Sequence, residues 1–506
     1  MNLNNNPIFL TQKRLVHRGG VLAAILIAAL VGFSLVSGMI AYRAAPENFS
    51  RDLRTPQEAG KMFYSWTIAV EVLVLVIGGF SRISRSLGDE RKAGLWDSNR
   101  LTPLKPSQLV VGYWLGSPLR EFYMALVLAI TGLAIVLLAQ LPITIWLETQ
   151  ILVFSTALFF GLLAILVGMT FQRPQGGVIF VLLLFLLYPF SFMAPKFLLT
   201  GFVLPVYGIT YAFSDHLPHE SDIYYSWSGK PDIFGLPVSP LILSLGLQFI
   251  IGIFLWRAAI RKTTNPFQPL MLRWEAVAIF GILLVAQHGL AWGLWQGKFP
   301  TMGTPTRHVI YSGYPPVLSF AHCGILLLGL IILAFSSPQP ETVRLKTLRL
   351  GIKNLKTIFS GSAVSLALIL AAVAAVVLFS QFAFAFAASW KIYLVASGNL
   401  LAFFLVFSLL LEFCRLRYQR RAFGFVALWL FVLCLLPFIL AGVFSMAAFT
   451  KLSLLSPGVA ALSDGDDISD YLLGIVAGHL GIALLLFIAW QREWRQLLAK
   501  TSTIQN

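Results

Sequence analysis

The chain is poor in charge. Only 11% of its 506 residues are Asp, Glu, Lys or Arg, whereas a soluble globular chain carries roughly 25%. With 58% apolar residues and a mean hydropathy of +0.81, it falls outside the class of water-soluble domains, and its main solvent is expected to be lipid. Acids are scarcer than bases, 21 against 37, for a formal net charge of +16. Nucleic-acid binders also carry such an excess. Here the bases stand in short clusters between apolar runs, the pattern of membrane loops, so no nucleic-acid partner is expected.

Cysteine is almost missing. The three present, Cys323, Cys414 and Cys434, are widely spaced within or beside apolar runs, which rules out a disulfide framework and a cysteine-based metal motif. No Gly-x-x-x-x-Gly-Lys-[Ser/Thr] loop occurs, so the chain is not expected to cradle ATP phosphates itself. Ser-His-Asp, Cys-His and zinc-helix signatures are absent too. The expectation is a protein that is not an enzyme and binds no cofactor of its own.

What the sequence has in abundance is long apolar runs. A bilayer core takes about 20 apolar residues in a helix, and that spacing predicts twelve spans, centred near residues 31, 73, 130, 160, 184, 247, 285, 326, 375, 401, 435 and 480. The first run, about 20–42, is too long for the core of a signal peptide and reads as a retained anchor. Basic clusters fall on alternate loops: Lys13 to Arg18, Arg82 to Lys105, Arg257 to Arg273, Arg344 to Lys356, Arg415 to Arg421 and Arg492 to Lys500. By the positive-inside rule these face the cytoplasm, together with both termini.

Two landmarks recur in order. "NPIFLTQKR" (Asn6, Pro7, Arg14) and "NPFQPLMLR" (Asn265, Pro266, Arg273) share one spacing. Asn before Pro suits a helix start, and each landmark predicts a helix on the inner membrane face leading into a span. "PVYGITYAFSD", ending at Asp215, and "PGVAALSD", ending at Asp464, likewise precede the last span of each half. The fold class expected is an all-α polytopic membrane protein of two six-helix halves, 1–260 and 261–506, a common transporter plan.

The loop 83–107, "ISRSLGDERKAGLWDSNRLTPLKPS", packs an acid–base cluster, a glycine, a tryptophan and two prolines between long apolar stretches. Ser84 to Arg100 is predicted as a short helix stopped by Pro103 and Pro106. Ser107 is predicted to cap a second helix, with Leu109, Val110, Trp114 and Leu115 toward the lipid interface. The loop then reads as a stiff elbow held at both ends by spans, carrying an exposed Trp96.

Within it, Glu90, Arg91, Gly94, Leu95 and Trp96, then Leu101-Thr102-Pro103-Leu104, then Gln108-Leu109-Val110 and Gly112, resemble the coupling segment of type-2 ABC exporter membrane subunits. "NPIFLTQKR" is similar to the inner-face helix of that family. The resemblance implies a permease in a bacterial-style inner membrane, working with a separate ATPase that hydrolyses the ATP. It assigns coupling to Glu90, Arg91, Gly94, Trp96, Thr102 and Pro103. Leu95 and Tyr113 depart from the family, which often has Thr and Lys there, and the second-half loop "SSPQPETVRLKTLRLGIKNLKT" lacks the motif.

Inside the spans, Glu71 stands out, because an ionised acid at that depth is costly. It reads either as a substrate or proton contact in the pathway or as a neutral or paired carboxyl joining helices. His288, His322 and His479 lie in different spans without metal spacing. Glu412 with Arg415, and Arg120 with Glu121, read as local pairs. "DDISD" (Asp466, Asp467, Asp470) has the pattern of isoprenoid-handling enzymes but occurs once and reads as an outer acidic loop. An amphipathic or lipid-like cargo fits such a chain, as does a membrane enzyme acting on lipid or prenyl substrates, a non-transporting scaffold or an ion-driven transporter. The sequence leaves open whether one copy forms the pathway or two copies pair.

Overall fold

The structure is a computed structural model that describes residues 6–18, 20–44, 55–101, 103–170, 199–204, 206–215, 230–265, 268–295, 363–384, 390–418 and 468–505, with isolated positions between 329 and 432. These are almost entirely helical, as long apolar runs require when backbone polar groups must be satisfied without water. The chain divides into two units. One comprises Met1–Lys196, Thr200–Pro231 and Pro237–Pro266; the other Phe197–Leu199, Asp232–Leu236 and Phe267–Asn506.

The first unit opens with α1 (Pro7–Arg18), α2 (Val21–Ala44) and α3 (Pro56–Lys92). A short α4 (Leu95–Leu101) and α5 (Pro106–Gly116) lead into α6 (Leu119–Leu138) and α7 (Ile143–Thr170). Two further short helices, α8 (Leu199–Val203) and α9 (Val206–Asp215), precede α10 (Pro240–Thr264). Five of these helices, α2, α3, α6, α7 and α10, are long and apolar enough to cross a membrane, which marks the chain as a membrane protein. Leu22, Leu26, Leu30 and Phe33 lie exposed along α2, as lipid-facing side chains do. By contrast α7 is apolar all round and largely buried, packed against α3, α6, α9 and α10. It is the central helix of the unit.

Local chemistry sets the helix starts. Asn6 Oδ1 accepts the N–H groups of Ile8 (3.1 Å) and Phe9 (3.3 Å), so the expected cap of α1 is present. At the start of α3, Thr55 Oγ1 accepts from Glu58 N (3.3 Å) while Glu58 Oε2 accepts from Thr55 N (3.1 Å). This is a reciprocal capping box, with Pro56 at the first helical position. α3 is one 37-residue helix. At about 1.5 Å per residue it is much longer than a bilayer core of about 30 Å. Its apolar part, 62–80, is by length and composition enough to cross such a core, and the charged turns 81–92 follow it in the same helix. A π-helical stretch, Leu73–Gly78, interrupts its middle.

A two-stranded ribbon, Asp232–Ile233 with Leu236–Pro237, turns at Phe234 and Gly235, and all of it but Pro237 belongs to the second unit. Among the described residues, its long helices are α11 (Arg273–Trp295), α12 (Ala363–Phe384), α13 (Trp390–Tyr418) and α14 (Ile468–Gln505). α12, α13 and α14 share a core of Val364, Val406, Leu409 and Ala483. Trp490 Nε1 donates to Glu412 Oε2 (3.2 Å), and Arg417 pairs with Glu493 (2.5 Å).

Helices cover the predicted centres near 31, 73, 130, 160, 247, 285, 375, 401 and 480, while those near 184, 326 and 435 lie outside the described residues. The second landmark departs from expectation. Asn265 closes α10, its N–H donating to Arg261 O (2.8 Å), and 268–272 form bends before α11 begins at Arg273. Pro269, which has no counterpart in "NPIFLTQKR", lacks a donor and disfavours helix at the preceding residue. Leu270 and Met271 are buried there, so no surface helix forms.

Candidate functional site

The polar elbow folds differently from its prediction, and the differences define a site. α3 runs through Lys92 instead of ending before residue 84. It stops at Ala93–Gly94, where Ala93 N–H donates to Asp89 O (3.0 Å) and Gly94 N–H to Arg91 O (3.2 Å). Gly94 has φ +71, a left-handed cap that glycine adopts without strain. Its N–H and C=O join the two helices, since Ser98 N–H donates back to Gly94 O (3.3 Å) and α4 begins at once. Lys105, not Ser107, precedes α5; its N–H donates to Gln108 Oε1 (3.0 Å) and Pro106 takes the first helical position.

Four elements meet at Glu90, a half-buried side chain in the last turn of α3. Gln12 Nε2 of α1 donates to Oε1 (2.9 Å), Asn99 Nδ2 of α4 donates to Oε2 (3.4 Å), and the Tyr113 hydroxyl of α5 donates to the same Oε2. Asn99 Nδ2 also reaches Tyr113 Oη (3.1 Å). A carboxylate can accept at both oxygens, so one acid ties together pieces far apart in sequence. Burial pushes the Glu90 carboxyl above its ordinary range, outweighing the hydrogen bonds from Tyr113 and Gln12 that pull the other way. The Tyr113 hydroxyl is raised as well, first by burial and then by the adjacent Glu90 charge.

Trp96 is not exposed. It is 4% accessible, and its ring lies against Tyr113 with centroids 5.5 Å apart. Trp96 therefore braces α4 on α5 and presents no surface. Among the described residues, those exposed on the elbow are Arg85, Asp89, Lys92, Ala93, Gly94, Leu95, Ser98, Pro103 and Lys105. Arg91 turns the other way, its guanidinium donating to Met169 O and, at 3.5 Å, to Gly168 O. Those carbonyls lie at the C-terminal end of α7, where a cation is favoured. Thr102 lies outside the described residues.

α1 packs tightly across α5. Asn6 Nδ2 donates to Gln108 O (2.7 Å). A Cβ at Gly112 would come within 2.8 Å of Ile8, and one at Gly116 within 3.0 Å of Gln12. Only small residues allow that approach. The face expected at the lipid is instead largely protein-packed: Leu109 and Val110 are buried, and Trp114 Nε1 donates to Leu158 O of α7 (2.9 Å).

A second polar cluster lies inside the span bundle. Glu71 is 0% exposed, and Gln150 Nε2 of α7 donates to its Oε2 (2.9 Å). Beside them the Tyr64 and Thr149 hydroxyls are hydrogen-bonded to each other. Further along α7, Gln248 Nε2 of α10 donates to Thr156 Oγ1 (2.9 Å) and Ser155 Oγ donates to Gln248 Oε1 (2.5 Å). Gln150 and Gln248 were not singled out from the sequence, although an amide within an apolar run is itself the signal.

The remaining expectations are placed as follows. Arg120 pairs with Glu121 (2.9 Å), as expected. His288 lies edge-on to Phe234 (5.8 Å) and His479 to Phe403 (6.3 Å), while His322 lies outside the described residues. Asp466 and Asp467 also lie outside them. Glu412, besides accepting from Trp490, acts electrostatically on Arg415 and Arg273. Compared with known proteins, the chain matches no family model, no curated protein and no solved structure.

Proposed function

We propose that the chain is the membrane subunit of an ATP-driven exporter of the type-2 ABC kind, moving an amphipathic or lipid-like substrate with a separate ATPase. On this reading it has twelve spans in two halves, lies in a bacterial-style inner membrane, and keeps both termini and the elbow in the cytoplasm. The observation that carries the proposal is mechanical. α3 continues without a loop from the bundle into the elbow, and Glu90 clamps α1, α4 and α5 to its end. A partner pressing on the elbow thus moves a rigid block joined directly to a span, the arrangement that switching between inward-open and outward-open states requires. Arg91 extends the block to α7.

The roles within the motif divide accordingly. Glu90, Gly94 and Trp96 build the block, Arg91 transmits, and Leu95, Pro103 and Lys105 present the surface a partner meets. The test is affinity capture of the tagged protein from native membranes in mild detergent. Wild type is compared with Leu95→Glu and with residues 88–106 replaced by a Gly-Ser linker. Capture of an ATPase that both changes abolish supports the proposal; a folded protein that captures none overturns it. An ion-driven transporter is the second reading, favoured by the buried Glu71–Gln150 pair, and it predicts transport that follows an imposed ion gradient in liposomes without ATP.

A further inference from the structure

Glu71 and Gln150 are joined by one hydrogen bond, yet each keeps an oxygen that is buried and, among the described residues, without a partner: Glu71 Oε1 and Gln150 Oε1. Gln150 is 6% exposed, and its amide faces the carboxyl, since its Nε2 already donates there. Two lone acceptors beside each other in a membrane core are costly, and an unpaired carboxylate costs far more. Among the described residues, no lysine, arginine or histidine pairs with Glu71. Nor, among the described residues, does an ionisable group on the helices packed against α3 supply a partner cation. Tyr64 on α3 is a hydroxyl bonded to Thr149. On α6, Arg120 is bonded to Glu121. Glu148 on α7 is a second acid, and Arg43 stands in the last turn of α2 beside Tyr42, whose ring lies against Phe63, about two turns of α3 before Glu71.

A single proton resolves both orphans. Placed on Glu71 Oε1, it turns that oxygen into a donor for which the unpaired Gln150 Oε1 of the same side-chain pair is an acceptor, while Gln150 Nε2 continues to donate to Glu71 Oε2. Acid and amide would then form a cyclic pair with two hydrogen bonds and no net charge. We propose that Glu71 is a proton-binding site, occupied when α3 and α7 are packed as in this structure, and that the proton is the latch between the two helices. Separation of α3 from α7 would admit water, and the acid would then release its proton to it. The site stands directly before the π-helical stretch Leu73–Gly78, the kind of local irregularity that recurs at functional sites. The inference rests only on the membrane placement of α3 and holds whether or not an ATPase drives the protein.

The test is infrared spectroscopy of the full chain in lipid at pH 7, in the carbonyl-stretch region where a carboxylic acid absorbs and a carboxylate does not. Wild type is expected to show an acid band that Glu71→Gln removes and that Gln150→Leu moves to higher wavenumber, because the hydrogen bond to the acid is lost. Glu71→Gln keeps two hydrogen bonds as an amide–amide pair, so its helical amide band and thermal unfolding should match wild type. Identical wild-type and Glu71→Gln spectra in the acid region would mean an ionised Glu71 and overturn the proposal. Loss of the band on adding sodium would overturn it as well, by assigning the site to a metal cation. Both outcomes are independent of whether an ATPase is captured through the elbow.

Discussion

Removing one oxygen atom should loosen the elbow and leave the spans untouched. Tyr113→Phe deletes the hydroxyl that donates to Glu90 and accepts from Asn99, while the ring stays against Trp96. Packing is therefore nearly constant and the change isolates hydrogen bonding. A hydrogen bond to a charged group contributes about 1.5–3 kcal/mol. If local opening of α4 governs amide exchange, that loss accelerates exchange roughly ten- to a hundredfold. The assay is hydrogen–deuterium exchange read by mass spectrometry on peptides covering 95–101, where Ser98 N–H is held by Gly94 O. Peptides of α6 and α7 serve as the internal reference and should not change. Acceleration of less than about twofold in 95–101 would mean that Glu90 is not the clamp, since even a neutral hydrogen bond contributes about 1 kcal/mol.

Glu90 also gives the elbow a pH dependence of defined sign. Its folded carboxyl is raised above the ordinary 4.5, so the stabilisation is complete below that value and is lost as pH rises through the raised one; exchange protection of 95–101, corrected for intrinsic rates, should be greatest in mild acid, and Glu90→Gln should flatten the profile. Gly94→Ala forces a side chain into φ +71 and should cost about 1–2 kcal/mol, read as a lowered unfolding midpoint or faster exchange in the elbow, with Gly94→Asn milder. Gly112→Val drives a branched side chain into Ile8 and Phe9 at a cost of about 1–3 kcal/mol; protease cleavage within residues 6–18 should increase while cleavage elsewhere does not. Glu90→Arg places a cation among the donors Gln12, Asn99 and Tyr113 and should abolish coupling of ATP use to transport, with helix content retained; full transport by that variant would refute the proposed function.

Much of this protein is decided by sequence alone because the deciding interactions are local. Apolar runs of span length become helices wherever the structure describes them, since a lipid solvent leaves the backbone few alternatives. Asn6 before Pro7 starts α1 for reasons contained within four residues; Gly94 ends α3 by an equally local device, although 84–100 reads as one helix through it. What the sequence did not decide is where side chains go once helices pack. Trp96, a large aromatic in a polar loop, reads as surface until Tyr113 from another helix covers it. Glu71 reads as solitary until Gln150, 79 residues away, is brought beside it. Glu90 reads as a charge for a partner, and its bonds to Gln12 and Tyr113 span 78 and 23 residues. The repeated Asn-Pro landmark failed in its second copy because burial of Leu270 and Met271 and a second proline override the local pattern. Helix existence is a matter of solvent and backbone, legible in one dimension. Which acid is clamped, which aromatic is hidden and which carboxyl needs a proton are matters of proximity, and only the tertiary structure supplies it.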